Sequence, residues 1–422
     1  MSPVLVLFIV FAVLCLIRVP IAVSLGLSSI VALSMADFTL YTVIQKMFNS
    51  LNSATLMAIP GFVFAGIIMS KGGISFYLIE ALKSWVGHIR GGLAVITVLA
   101  CMIFAAISGS SPATAAAIGS IMIPGMVNAG YSKRYAMGLV AASGTLGILI
   151  PPSIPLIIYG TVAEESVGKL FSAGIIPGFL LGGILLISAV IHARRHNYGK
   201  LEKEPMNIRW KKTAKATWGF LLPVLILGGI YSGIVTPTEA AFVSCFYGII
   251  VSVFIYREMS FPKFREVLKE SINITSMIFL VIASAMIFGM FLTTEQVPQE
   301  FATWIEASTS NKWIFMIGVN LMFFVLGMFL DSVAIILITL PILLPVLVLF
   351  NINIIHFAII MTINMELAMI SPPVGLNLFV VSGITREKVG EVVKGVIPFF
   401  GLMILALVLV ILFPQLSLYL AK

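Results

Sequence analysis

The sequence predicts an all-α polytopic membrane protein made of two inverted repeats of five transmembrane helices. Each repeat carries one re-entrant helical hairpin and one helix broken at a Pro-Pro pair. Three observations carry this reading. The chain of 422 residues is 60% hydrophobic and only 10% charged, against roughly half apolar and a quarter charged in soluble domains. Its prolines recur at a fixed interval. Its basic residues fall almost entirely on one side once the two repeats are oppositely oriented.

An α-helix needs about 20 apolar residues to cross the hydrocarbon core, and at least ten segments approach or reach that length. Lipid tolerates only helices or closed barrels, and these runs are too long and uniform for barrel strands. The first run, "VLVLFIVFAVLCLI", lacks a basic flank and is followed by "RVP" instead of a small-residue cleavage site, so it reads as a retained span. Cys15, Cys101 and Cys245 lie inside apolar spans at spacings that suit neither a disulfide framework nor a metal site, and read as small buried hydrophobes. The net charge of +8 comes from residues flanking spans, where lysine and arginine set topology. It therefore implies a membrane, with its lipid, and no nucleic acid.

An offset of 221 residues places Pro124 on Pro345, Pro151-Pro152 on Pro372-Pro373, Gly174 on Gly395 and Ile176-Pro177 on Ile397-Pro398 without a gap. Ser50 and Asn52 fall on Ser271 and Asn273 in the same register. Each proline removes a backbone donor and breaks or kinks a helix at a defined point, so coincident prolines mark a tandem duplication. The halves are residues 1–192 and 217–422, joined by a polar basic linker at 193–216.

Each half parses in the same order. Two spans (3–17 and 20–36; 217–235 and 238–256) precede a third (54–70; 273–292) and an amphipathic segment (73–88; 294–308). Two short apolar arms around a polar tip follow (91–129; 312–350). A span broken at Pro-Pro comes next (133–163; 354–383), then a last span (172–192; 396–419). With the two-armed element returning to its own side, each half crosses five times, and an odd count inverts the second half relative to the first. Placing the linker in the cytoplasm leaves only Lys46, Lys169, Lys312 and Lys422 of the 25 basic residues outside, together with Glu295, Glu300 and Glu306. Full spans in place of the hairpin arms would make the count even and destroy this partition. Both chain ends then lie outside.

Inverted repeats with broken helices are the architecture of secondary transporters, whose sites lie near the bilayer midplane. Four polar places reach that depth. The tips are Ser108, Gly109, Ser110 and Ser111 in the first half, and Asp331 and Ser332 in the second. The breaks are "GTLGILIPPS" (144–153) and "NMELAMISPPVG" (364–375). Prolines strip the preceding carbonyls of helical partners, and such carbonyls with serine hydroxyls make a cage of hard oxygens for a desolvated sodium ion. Two tips and two breaks predict two related cation sites with the substrate between them. The helix starts after the breaks, at Ser153 and Val374, offer N–H groups suited to a carboxylate. A serine-glycine stretch can also simply be a packing seam; the repeat, the breaks and the charge partition together favour a site. Asp331 and Glu366 are the deep acids, functional by default in a membrane; the alternative is a buried acid kept protonated or satisfied by backbone donors, and Asp331 is the better ion ligand while Glu366 fits either reading. No G-x-x-x-x-G-K-[ST] is present, so an ion gradient and not a P-loop ATPase supplies the drive. No nucleophile-base pair or metal cluster points to an enzyme. His192 and His196, beside Arg194 and Arg195, read as interfacial cations.

Four stretches, "SGSSPATAAAIGSIMIPGM", "GTLGILIPPSIPLIIYG", "GIVTPTEAA" and "SPPVGLNLFV", in this order, resemble the large membrane subunit of tripartite ATP-independent periplasmic (TRAP) transporters. The resemblance covers nearly the whole chain. It implies sodium-coupled uptake of an organic acid across a bacterial inner membrane by an elevator motion. A small four-helix membrane subunit and a soluble periplasmic substrate-binding protein are the implied partners. By motif, one sodium site falls on Ser108, Gly109, Ser110 and Ser111 with Gly144, Thr145, Gly147 and Pro151. The other falls on Asp331 and Ser332 with Ser371, Pro372 and Gly375. Thr114, Ser153, Val374, Asn377 and Glu366 are the candidates for contact with the substrate, although Glu366 matches no family motif. The overall likeness is to sialic-acid members, with C4-dicarboxylates as the alternative substrate and a single-component sodium/dicarboxylate carrier as the rival reading.

Overall fold

A computed structural model describes residues 2–36, 38–196, 198 and 201–421. Lys200 and Lys422, both part of the charge partition, lie outside the described residues. Among those described, every regular element is helical. The first half contains α1 (Pro3–Leu16), α2 (Ile21–Met35), α3 (Leu40–Leu51), α4 (Ala58–Lys71), α5 (Ile74–Val86), α6 (Gly92–Ser108), α7 (Ser111–Asn128), α8 (Lys133–Gly144), α9 (Ile154–Ala163) and α10 (Val167–Arg195). A 3₁₀ turn, Thr145–Ile148, continues α8. The second half contains α11 (Met206–Tyr231), α12 (Pro237–Ile250), α13 (Phe261–Thr294), α14 (Val297–Ser308), α15 (Lys312–Gly327), α16 (Ser332–Leu349), α17 (Ile354–Met369), α18 (Leu376–Thr385), α19 (Val389–Leu412) and α20 (Gln415–Leu418).

Among the described residues, six helices, α10, α11, α12 with its π-helical extension, α13, α16 and α19, are long and apolar enough to cross a membrane. The pair α4–α5, bent by 59°, passes the same test together. This is a multi-pass membrane protein. The apolar outer faces fit that conclusion: Phe246, Phe254, Ile317 and Val224 are largely exposed, which water would penalise and lipid would not.

The two halves differ at one place the sequence did not mark. The single 34-residue helix α13 begins at Phe261, 221 residues after Leu40, so it spans the ground that α3 and α4 cover separately in the first half. Asn52 ends α3 with a non-helical ψ of 65°, and Pro60 lies in the first turn of α4. A proline there is compatible with a helix start and incompatible with a helix running through it. The second half has Asn273 and Val281 at these positions and no proline, so the helix continues.

The arms of the hairpins pack crosswise. α7 packs on α18, which follows the second break, and α16 packs on α9, which follows the first. Helix α8 crosses α19 where two glycines meet: a Cβ on Gly138 would lie 2.0 Å from the Gly395 carbonyl oxygen. At the N-terminal end of α8, Lys133 pairs with Glu387 and Arg134 with Glu391, each at 2.6 Å. On the other flank, Lys71 at the end of α4 holds Glu266 and Glu270 of α13, both at 2.7 Å.

Candidate functional site

The first tip turns because Gly109 takes φ +60°, a left-handed conformation that a side chain would strain. Pro112 then sits in the first turn of α7, where its missing N–H costs no hydrogen bond. Three oxygens cluster inside the turn, those of the buried Ser108 and Thr114 and the half-buried Ser110. The hydroxyls of Ser108 and Thr114 are 2.9 Å apart, and Thr114 donates to the Ser110 carbonyl at 2.9 Å. Gly147, in the 3₁₀ turn, packs its backbone on this cluster: a Cβ there would lie 2.5 Å from the Ser110 oxygen. Gly144 packs in the same way on Ala115.

The first break joins its tip directly. Beyond the 3₁₀ turn the Pro151-Pro152 bond is cis, and the Ile154 N–H donates to the Gly109 carbonyl at 3.3 Å. Ser153 caps α9 by accepting from Leu156 N–H at 3.4 Å, and its hydroxyl donates to the Ile148 carbonyl. With Pro155 lacking an N–H, the first turn of α9 has little left to offer a carboxylate, contrary to the expectation for Ser153.

The second tip is built on an acidic side chain. Asp331 caps α16, its Oδ1 accepting from Ala334 N–H at 3.3 Å, and Ser332 is buried behind it. At the second break Ser371 donates to the Leu367 carbonyl at 2.7 Å, the Pro372-Pro373 bond is cis, and Gly375 N–H donates back to Ser371 at 3.0 Å. The Val374 N–H donates to the Met328 carbonyl at 3.1 Å. It is therefore not free, and the donors left open at the start of α18 are those of Leu376 and Asn377. Each break thus hydrogen-bonds to the tip of its own half.

Both tips and both breaks meet at one cavity of about 290 Å³. Gly109, Ser110 and Ser111 line it from the first tip, Asp331 and Ser332 from the second, and Met369 and Leu376 from the second break. A smaller cavity of about 130 Å³ lies between Asp331, Ser332, Met369 and Val374. Among the described residues, no Lys, Arg or His lines either cavity. The larger one is closed on one side by Ile274, Met277 and Ile278 of α13. Sequence reasoning missed these three, since apolar residues in a span carry no mark; the Ser50/Ser271 and Asn52/Asn273 register pointed nearest to them.

Several candidates take other positions. The Thr145 hydroxyl turns back to the Ala142 carbonyl at 2.7 Å, and Pro151 lies against Gly174 of α10. Asn377 bridges the halves, accepting from Ser111 Oγ at 3.0 Å and donating to the Ala141 carbonyl at 2.9 Å. Thr114, Ser153 and Asn377 are all buried but outside the lining of the central cavity. Glu366 is also outside it, fully buried on α17.

Comparison with known proteins gives this geometry a family. The family model described as "Tripartite ATP-independent periplasmic transporter, DctM component" matches residues 8–416. The chain is 45% identical over 396 residues to the C4-dicarboxylate TRAP transporter large permease protein DctM of Pseudomonas aeruginosa, covering 94% of this chain and 93% of that one. It is 35% identical over 378 residues to the sialic acid TRAP transporter large permease protein SiaM of Vibrio cholerae, covering 90% and 88%. In fold it is similar to the YdaH transporter of Alcanivorax borkumensis, with a TM-score of 0.63 at 15% identity over 98% of both chains. These relatives are transporter permeases and not enzymes. With the match running almost from end to end, the chain belongs to the DctM family of TRAP transporter large permease subunits.

Proposed function

We propose that this subunit imports an organic acid, a C4-dicarboxylate before a sialic acid, across a bacterial inner membrane in exchange for the energy of a sodium gradient. The observation that carries this is the charge of the central cavity: Asp331 lines it and no basic side chain does. A carboxylate entering a low-dielectric site beside another carboxylate is repelled unless cations enter too. A dianion requires two or more, and the tips supply places for them. At the first tip the Ser110 carbonyl and the hydroxyls of Ser108 and Thr114 form a set of hard oxygens suited to sodium. At the second, Asp331 and Ser332 offer a carboxylate and a hydroxyl.

The choice of substrate follows the relatives. Those named for C4-dicarboxylates are 45%, 40% and 42% identical to this chain, and those named for sialic acid 35%. This reverses the preference drawn from the sequence alone. The Leu376 and Asn377 amides are the donors proposed to meet the substrate carboxylate.

The hairpins α6–α7 and α15–α16 are read as re-entrant and the repeats as inverted, with both termini periplasmic. Support comes from the hydrogen bonds tying each tip to its break, and from the crosswise packing of α7 on α18 and α16 on α9. An elevator motion of this body against the α4–α5 and α13–α14 arms fits the amphipathic α5 and α14 lying at its edge. The partners are a small four-helix membrane subunit and a periplasmic binding protein that delivers the acid. Reconstitution of the subunits in proteoliposomes tests the reading. Succinate uptake that requires both the binding protein and an inward sodium gradient supports it. Uptake by the membrane subunits alone favours a single-component carrier, and equilibration without accumulation favours a channel.

A further inference from the structure

Glu366 stands near the end of α17 with no exposed surface, and neither of its carboxylate oxygens has a hydrogen-bond partner. Glu204 also has one unpartnered oxygen, but its other holds Lys212 at 2.6 Å. Glu366 has nothing. Two residues earlier, Asn364 donates to Asn320 of α15 at 2.6 Å. Residues two apart on a helix point about 200° apart, so Glu366 looks away from α15 and into the bundle.

The elements packed on α17 offer it no counter-charge. They are α9, α10, α15, α16, α18, α19, α20 and the 3₁₀ turn. The sequences of α16, α18, α20 and the turn contain no charged or titratable side chain. The charges of α10 (Lys169, His192, Arg194, Arg195), α15 (Lys312) and α19 (Glu391, Lys394) lie within the first or last two turns of those helices. Tyr159 of α9 donates to the Ile354 carbonyl at 2.8 Å, at the far end of α17 and about 18 Å away along its axis. Of the capping residues, Asp331 is itself an acid occupied with Ala334, and Glu164, His196, Arg386, Lys388 and Tyr419 stand at the ends of α9, α10, α18, α19 and α20; on α17 itself, His356 lies ten residues before Glu366 and pairs with Ser417 at 2.9 Å.

The repeat gives the position a second meaning. Glu366 occupies the place of Thr145 at the offset of 221 residues, as Asp331 occupies the place of Ser110. Twice, then, the second half carries an acid where the first carries a hydroxyl. The Thr145 hydroxyl is satisfied within its own helix at 2.7 Å; Glu366 is not. A bare carboxylate in such surroundings is among the most unfavourable groups to bury, and a leucine would fill the same space without penalty. An acid retained there is neutral only while it holds a cation.

We propose that Glu366 binds one monovalent cation, a proton or a sodium ion, and exchanges it during the transport cycle, separately from the oxygen clusters at the two tips. The described conformation buries the side chain and so favours the cation-loaded form; a conformation that wets it favours release. Occupancy and conformation are then linked through one side chain. The consequence for transport rests on the ion-coupled reading above, whereas occupancy does not.

Infrared difference spectroscopy on the assembled permease in lipid tests occupancy without transport. A proton at Glu366 gives a carboxylic-acid carbonyl band that titrates with pH and is lost in Glu366→Gln. Sodium gives a carboxylate band that appears on adding sodium chloride, in place of potassium chloride, and is likewise lost in the variant. If Glu366→Gln fails to fold, Glu366→Asp keeps the acid and must shift the same band. A Glu366 band that responds to neither pH nor sodium, or no band that depends on this residue, overturns the proposal. In proteoliposomes, loss of one coupled cation in Glu366→Gln lowers the limiting accumulation ratio about tenfold for each tenfold cation gradient. An unchanged ratio in a folded variant overturns the exchange. Failure of the wild-type protein to accumulate any acid, with the band still exchanging, removes the transport reading and leaves the site.

Discussion

The two hairpin tips, each proposed above to hold a cation, are built from different chemistry. The first gathers neutral oxygens, the Ser110 carbonyl and the Ser108 and Thr114 hydroxyls, under the backbone of Gly147 with no room for a side chain. The second places a carboxyl group, Asp331, at a helix start with a cavity of about 130 Å³ beside it. A neutral cage depends on close packing for its affinity, because its dipoles act only at short range. A carboxylate acts over a longer distance and tolerates a looser fit. The comparison teaches that the first site should fail when its geometry is disturbed, and the second when its charge is removed.

Four substitutions break or sharpen that contrast. Gly147→Val has the largest expected effect, since a Cβ would sit 2.5 Å from the Ser110 oxygen and 2.8 Å from the Thr114 hydroxyl. Sodium-driven uptake should vanish while the protein still assembles, as judged by size-exclusion chromatography. Asp331→Asn keeps shape and removes charge. It should raise the sodium concentration for half-maximal uptake by about 10- to 100-fold, equal to about 1.4–2.8 kcal/mol, and an unchanged value would make the charge irrelevant. Thr114→Val removes one hydroxyl from the cluster while the Ser108 hydroxyl and the Ser110 carbonyl keep their bond to each other and the carbonyl keeps the residue 114 N–H, at about 0.5–1.5 kcal/mol; the same sodium titration should shift by less than for Asp331→Asn. Glu387→Gln removes the exposed pair with Lys133, which lies outside both tips. Thermal melting should change by no more than about 1 kcal/mol and uptake not at all. A large effect there would spread the site beyond the tips.

Much of this was legible in the sequence for a physical reason. Prolines and glycines act on the backbone, so the pairs at 151–152 and 372–373 located both breaks before any coordinates, and Gly109 located the first turn. Charges at span ends are equally local signals. Hydroxyl direction is not: Thr145 and Ser153 bond back to carbonyls three and five residues earlier, a choice fixed by rotamer and packing. The same applies to the Val374 N–H, whose partner Met328 lies 46 positions away in sequence and only becomes a neighbour once the hairpin folds. Helix α3 was missed because it is short and amphipathic between two longer spans. The lining of the cavity by α13 was missed because Ile274, Met277 and Ile278 look like any apolar run. Substrate identity was illegible for a related reason, as a mostly apolar lining states little about the acid it admits.

The central claim is that a cavity with an acid and no basic residue takes a carboxylate only together with sodium. The most direct measurement is succinate binding to the purified assembled permease by isothermal titration in sodium chloride and in potassium chloride at equal ionic strength. The account predicts binding in sodium that weakens at least tenfold in potassium, in line with about 1.4 kcal/mol or more of coupling. Equal affinity in the two salts would contradict it.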